Sequence, residues 1–227
     1  MSTKPPDDII LRHLTYIAMA GFIPLPFVDD VIRNHLERRM VRQLAAGQSV
    51  SLSEKDIRVL ANEEGCLRSC VVGCFTKVLL FPIRLLLGWI FLIFRIKRVT
   101  DELSADYHRG ILIDYALREK MPAATAEQVD AAIESACRQV DISPVSNAFR
   151  SVLKQNMTAL RKGAQLLWKS KPANQAQADA QLDAAVEKLD AESAAISVDQ
   201  QLRSSLAEIP PEHLTRLKEA FDAALRQ

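Results

Sequence analysis

The longest apolar stretch of the chain runs from Cys66 to Phe94 and has the sequence CLRSCVVGCFTKVLLFPIRLLLGWIFLIF. It contains no acidic residue, and it is longer than the about 20 residues with which a helix crosses a hydrocarbon core. Trp89 and the basic residues that follow, Arg95, Lys97 and Arg98, are typical of a segment that ends at a membrane interface. The pattern predicts that residues 66–94 contact lipid.

Three arrangements of this segment in the membrane are compatible with the sequence. A single span would place Arg84 near the middle of the bilayer, where a charge costs several kcal/mol. A hairpin that bends near Pro82, or a helix in the plane of the interface, would let Lys77 and Arg84 reach the headgroups, and we slightly favour these two together. The side chains expected to contact anionic headgroups are Lys77, Arg84, Arg95, Lys97 and Arg98.

The rest of the chain has the composition of helices. Alanine and leucine are abundant, whereas glycine (7 of 227 residues) and aromatic residues (6%) are scarce, which favours helices over a β-sandwich or β-barrel. Capping patterns at Ser51 with Glu54 and at Thr125 with Gln128 predict helix starts. The predicted fold class is all-α: a helical bundle of about seven to nine helices with one long apolar segment that is membrane-inserting or interfacial.

We expect the chain to divide near Lys120. Residues 1–120 would form a membrane-associated helical unit, and residues 121–227 an amphipathic helical bundle that offers a face to a protein partner. Gln175 to Glu192 carries few apolar anchors and predicts an exposed or marginal helix. The net charge of +1 does not favour nucleic acid as a partner. Met1 to Asp8 lacks the pattern of a cleaved signal peptide, which predicts the cytoplasmic side of a membrane.

A corner with the sequence GFIPLPFVDD, from Gly21 to Asp30, joins an apolar helix to an arginine-rich one. Pro24 and Pro26 disfavour helical geometry in the residues before them, so the first helix ends near Ile23. This corner resembles the Gly/Pro-apolar-Asp corner of EcsC-like bacterial helical proteins and related GTPase-associated membrane domains. The resemblance covers the N-terminal segment only, and it implies a helical fold and membrane association without catalytic residues to assign.

The helix after this corner carries a basic face made of Arg33, Arg38, Arg39 and Arg42. Two interpretations remain open for it. The face could meet anionic lipid, to which each basic residue contributes about 1 kcal/mol. Alternatively, it is a solvated face whose arginines pair with Glu37 and other acidic residues.

Three cysteines, Cys66, Cys70 and Cys74, lie one helical turn apart within the apolar segment. Helical geometry spreads them over about 12 Å, too far for all three to bind one zinc ion. Reversible acylation of these membrane-proximal thiols is one hypothesis, and small packing residues are the alternative. No metal site and no cofactor is predicted.

Asp106, His108 and Asp114 place titratable groups on one helix after the basic cluster, and they could form a scattered acid–base site. No nucleophile elbow or phosphate-binding glycine loop accompanies them, which favours a role at the surface or between helices. The predicted function is a membrane-associated helical scaffold or regulatory protein without its own catalytic centre. The alternatives are a membrane-associated enzyme with this scattered site, and a soluble helical interaction domain with residues 66–94 in its core.

Overall fold

The computed structural model describes residues 6–23, 28–62, 88–121, 123–169 and 178–226. Within these ranges the chain forms ten helices and no strand, which confirms the all-α prediction. In chain order the helices are α1 (Pro6–Ala20), α2 (Val28–Gly47), α3 (Glu54–Leu60), α4 (Gly88–Glu119), α5 (Ala126–Gln139), α6 (Ser143–Gln155), α7 (Met157–Lys169), α8 (Ala178–Asp190), α9 (Ser193–Leu206) and α10 (Pro211–Leu225).

Helix α1 occupies the centre of the bundle. Residues 9–11 and 13–20 are all buried, because α1 packs against α2, α4, α7 and α9. A helix that is apolar on nearly every side is buried in this way. Gly163 of α7 allows the closest approach, since a Cβ atom there would collide with the side chain of Met19. The close packing of α1 against α7 therefore depends on a glycine at position 163.

Helix α4 is the longest element, with 32 residues, and it contacts α1, α2, α5, α6 and α10. Leu103, Tyr107 and Ile111 form its buried stripe, as their helical spacing predicts. The helix begins at Gly88, so the last residues of the predicted apolar segment belong to its first two turns. The same helix thus leads from that segment into the core.

One hydrophobic core joins the two halves of the chain. Its buried side chains come from helices on both sides of Lys120, and α1 contacts α7 and α9 directly. The division near Lys120 stays a prediction. The helices that it would separate are packed together.

Two capping patterns can be compared with their predictions. Thr125 and Gln128 form a reciprocal capping box at the start of α5, as predicted. At α3 the box is formed by Ser53 and Asp56, so the predicted pair with Ser51 is wrong by two residues. Aspartate fills the third helical position there and accepts from the backbone N–H of Ser53, as glutamate does in the usual pattern.

A membrane-spanning helix, one of the three arrangements considered for the apolar segment, is not found in the part of the chain that the structure describes. None of the helices there combines the length and the apolar character that crossing a bilayer requires. Most of the apolar segment lies outside the described residues, as do Cys66, Cys70, Cys74, Lys77 and Arg84. The proposed acylation of the cysteines and the headgroup contacts of Lys77 and Arg84 stay predictions.

Candidate functional site

A cluster of four charged side chains lies between α2 and α4, and we call it the α2–α4 charge cluster. Arg33 is at its centre. Its Nε atom donates to Glu37 at 2.7 Å, its Nη1 atom lies 3.0 Å from Glu102, and its Nη2 atom donates to Asp106 at 2.6 Å. A single guanidinium group, whose donors lie in a fixed plane, therefore holds three carboxylates.

The two inner carboxyl groups of this cluster are nearly removed from water. Glu37 is 8% exposed and Asp106 is 6% exposed. The Oδ1 atom of Asp106 accepts from Arg33, whereas its Oδ2 atom is buried without a hydrogen-bond partner among the described residues. A buried carboxylate oxygen without a donor is costly, and protonation of the carboxyl group lowers that cost.

Burial sets the electrostatics of the cluster. Desolvation, together with the charge of Asp106, raises the pKa of Glu37 to about 7, although Arg33 opposes this shift. Desolvation also raises the pKa of Asp106, again against the effect of Arg33. Desolvation alone would lower the pKa of Arg33, but the surrounding carboxylates hold it well above its usual range. The pair Glu37 and Asp106 therefore retains a proton near neutral pH more readily than ordinary carboxyl groups do.

A cleft connects this cluster to the surface, at the end of the bundle where α1 ends and α2 begins. Its charged lining residues are Asp29, Asp30, Arg33, Arg98 and Glu102. Arg33 and Glu102 belong to both the cleft and the cluster, so the cleft reaches the side chains that surround the buried carboxyl groups. The arrangement can bind and release a proton. Within the described part of the chain, no group of three or more His, Cys, Asp or Glu side chains is placed to hold a metal ion.

The three residues of the predicted scattered site do not come together. Asp106 belongs to the α2–α4 charge cluster, whereas Asp114 accepts from Gln48 at 2.9 Å and from Arg118 at 2.7 Å. Both aspartates and His108 are buried. These three side chains were expected either at the surface or between helices, and they lie between helices.

His108 pairs with a histidine from the last helix. Its Nδ1 atom lies 2.6 Å from the carbonyl oxygen of Ser104, and its Nε2 atom lies 2.7 Å from Nε2 of His213. Because a carbonyl only accepts, Nδ1 carries the proton, so Nε2 of His108 accepts from the Nε2–H of His213. Burial lowers the pKa of His108 to about 4, which keeps the ring neutral and this pairing intact. The pair fastens α10 to α4.

The basic cluster after the apolar segment has two kinds of member. Arg95 points inward: its Nε atom donates to the carbonyl oxygen of Gly21 at 2.7 Å, and its Nη2 atom donates to the carbonyl of Ile23. It thereby binds carbonyl groups at the C-terminal end of α1, which have no partner within that helix. Lys97 and Arg98 are exposed, and Arg98 also lies 2.7 Å from Glu102 and 4.0 Å from Asp29. Lipid contact by all three stays a prediction.

A second polar interface lies on another side of α2, where α8 packs. Three carboxylates spaced along one side of α8 form what we call the α8 acidic face: Asp179, Asp183 and Asp190. Three side chains of α2 form the α2 basic face: His35, Arg38 and Arg39.

His35 lies between two of these carboxylates. Its Nδ1 atom is 2.9 Å from Asp179 and its Nε2 atom is 3.1 Å from Asp183. Arg39 donates to Asp183 at 2.5 Å, and Arg38 lies 3.4 Å from Asp179. Both nitrogens of one ring thus face carboxylate oxygens of α8.

The same acidic face also reaches α1. Asp190 accepts from the hydroxyl group of Tyr16 and from Arg12 at 3.2 Å. The exposed helix predicted for residues 175–192 is therefore found only on part of the surface of α8. Its apolar residues Leu182, Val186 and Leu189 are buried, and its acidic side is occupied by α1 and α2.

Sequence reasoning did not identify the α8 acidic face or His213. The aspartates are spaced four and then seven residues apart, which places them on one side of a helix. This one-sided acidic pattern, together with an arginine-rich helix elsewhere in the chain, could have indicated that the two helices pack against each other. His213 gave no such signal, because a partner 105 residues away leaves no local pattern.

Comparison with known proteins identified no relative of this chain. Neither the family models, nor the curated proteins, nor the solved structures contain a match to this chain. The resemblance of residues 21–30 to EcsC-like domains stays a prediction.

Proposed function

We propose that this chain is a membrane-associated helical scaffold or regulatory protein without its own catalytic centre. The observation that carries the proposal is the position of Lys97 and Arg98, which are exposed in the first third of α4, shortly after the acid-free stretch 66–94. Each basic residue at an anionic surface contributes about 1 kcal/mol to binding. The resemblance of residues 21–30 to EcsC-like membrane domains supports the same proposal.

The fixed position of this end of the bundle also supports it. Arg95 joins the start of α4 to the end of α1, so Lys97 and Arg98 project from a packed element rather than from a loop. A binding surface on a rigid element loses less conformational entropy when it meets its partner. The orientation of the bundle on a membrane would follow from this geometry.

An enzyme with a scattered site is the weaker alternative. The three residues of that site have separate partners. Asp106 binds Arg33 of α2, and His108 binds His213 of α10. Asp114 binds Gln48 in the turn after α2. A joint acid–base mechanism needs such groups within hydrogen-bond reach of one substrate.

The proposal is tested by fractionating cells that express the full chain. Membranes are washed with high salt and, separately, with alkaline carbonate. Retention after both washes indicates insertion of the apolar segment, and release by salt alone indicates binding through the basic side chains. A chain that is soluble before any wash contradicts the proposal.

Charge reversal tests the position of the binding surface. We expect Lys97→Glu/Arg98→Glu to weaken binding to anionic vesicles by about tenfold or more, because two favourable contacts become repulsive. Lys154→Glu/Arg161→Glu is the matched control, since both side chains are exposed on α6 and α7 and the net charge changes equally. Equal losses in the two variants would contradict a role for the start of α4.

A further inference from the structure

The α8 acidic face covers a surface of α2 that is built to hold anions. His35, Arg38 and Arg39 follow one side of α2 at spacings of three and four residues, and Arg42 continues the row one turn later. Guanidinium groups bind carboxylate and phosphate oxygens alike, through paired N–H donors. The carboxylates of Asp179 and Asp183 occupy donors of Arg38 and Arg39 in this structure.

The two sides of this interface differ in burial. The side chain of His35 is 3% exposed, whereas those of Asp179 and Asp183 are 60% and 49% exposed. The carboxylates therefore keep much of their hydration while they cover the α2 basic face. Ion pairs with one such solvated partner are weak and are screened by salt, so the contact is reversible.

Helix α8 keeps other contacts when this interface opens. It packs against α7 and α9, and its buried residues Leu182, Val186 and Leu189 contribute to the core. Loss of the carboxylate contacts to α2 therefore does not require α8 to unfold. A small displacement of α8 would expose arginines that are otherwise neutralised.

We propose that the α2 basic face is a second binding surface for anionic lipid headgroups, and that the α8 acidic face blocks it by occupying the same donors. The carboxylates of α8 stand where headgroup phosphates would bind. This inference rests on the proposed membrane association and adds an autoinhibitory contact to it. A membrane rich in anionic lipid would compete with α8, so that binding strengthens steeply with the anionic lipid content.

The test compares binding to phosphatidylcholine vesicles with and without phosphatidylglycerol. Asp179→Asn/Asp183→Asn removes the blocking charges, and we expect it to bind the anionic vesicles about fivefold or more tightly than the unaltered chain. Glu208→Gln/Glu219→Gln is the control, because it removes two exposed carboxylates outside α8 and changes the net charge equally. An equal gain in the control would overturn the inference, since general charge would explain it.

A second variant asks whether the gain depends on the α2 basic face. Adding Arg38→Gln/Arg39→Gln to the aspartate variant should return binding to the level of the unaltered chain or below. Persistence of the gain would overturn the inference. If the unaltered chain does not bind vesicles but the aspartate variant does, the inference stands while the surface at Lys97 and Arg98 fails, so the two proposals fail separately.

A measurement on the unaltered chain avoids any effect of substitution on folding. Hydrogen exchange of α8 is followed with neutral and with anionic vesicles. We expect faster exchange in residues 178–190 with anionic vesicles only, as the carboxylates lose their partners. Unchanged exchange at vesicle concentrations that saturate binding would overturn the inference.

Discussion

Helix α2 takes part in two polar interfaces that use the same residue types with opposite consequences. On one side, Arg33 holds Glu37 and Asp106, which are both less than one tenth exposed. On another side, Arg38 and Arg39 meet Asp179 and Asp183, whose side chains are 60% and 49% exposed. Charge and distance are similar in the two interfaces, so the difference lies in access to water. Burial, rather than the presence of an ion pair, therefore decides how much each interface contributes to the free energy of unfolding.

The largest expected effect follows from removing the centre of the buried interface. Arg33→Ala leaves two buried carboxyl groups without their counter-ion, which costs about 3–5 kcal/mol in the free energy of unfolding. Arg39→Ala, in the same helix, removes a partner of the exposed Asp183 and should cost less than about 1 kcal/mol. Urea unfolding of the two variants measures the difference. Similar losses would contradict the larger contribution of the buried interface to the free energy of unfolding.

An intermediate effect is expected in the pH dependence of stability. Glu37 has a pKa of about 7 in the folded chain, above its ordinary value of 4.5. The folded state therefore holds a proton that the unfolded state has released. The corresponding stabilisation is complete below about pH 4.5 and is lost as the pH rises towards 7.

Glu37→Gln isolates this contribution because glutamine does not titrate. The free energy of unfolding of the unaltered chain, relative to that of the variant, should fall by on the order of 2 kcal/mol between pH 5 and pH 8. Contributions from His108 and from other groups that do not interact with Glu37 cancel in this difference. Parallel pH profiles for the two proteins would contradict a proton held at Glu37.

The smallest effect is expected at the exposed interface. Asp183→Asn should lower the free energy of unfolding by about 0.2–1 kcal/mol, because the carboxylate is half solvated in the folded chain. High salt should remove most of that loss by screening, while the effect of Arg33→Ala persists. Unfolding at low and high ionic strength checks both statements. A loss at Asp183 that salt does not change would indicate an interface more like that of Arg33.

The helical fold could be predicted from the sequence because its signals are local. Leu103, Tyr107 and Ile111 lie at helical spacing, and Thr125 with Gln128 carries its own cap. The partners of the charged side chains could not be predicted, since they come from distant helices. Arg33 meets Asp106, and His35 meets Asp179, across separations of 73 and 144 residues. Composition alone does not distinguish a solvated basic face from one that another helix covers.

Two arginines of α4 bind backbone carbonyl groups at the ends of two different helices. Arg109 donates to the carbonyl oxygens of Val59 and Leu60 at the end of α3, and Arg95 donates to the end of α1. Fourteen residues of one helix separate these anchors, which is a distance of about 21 Å along its axis.

This fixed span has a consequence for protein engineering. Because both arginines belong to one helix, the ends of α1 and α3 keep a constant separation along α4. Spectroscopic labels placed at these two ends would therefore report a bend or a local opening of α4 as a change in the distance between them.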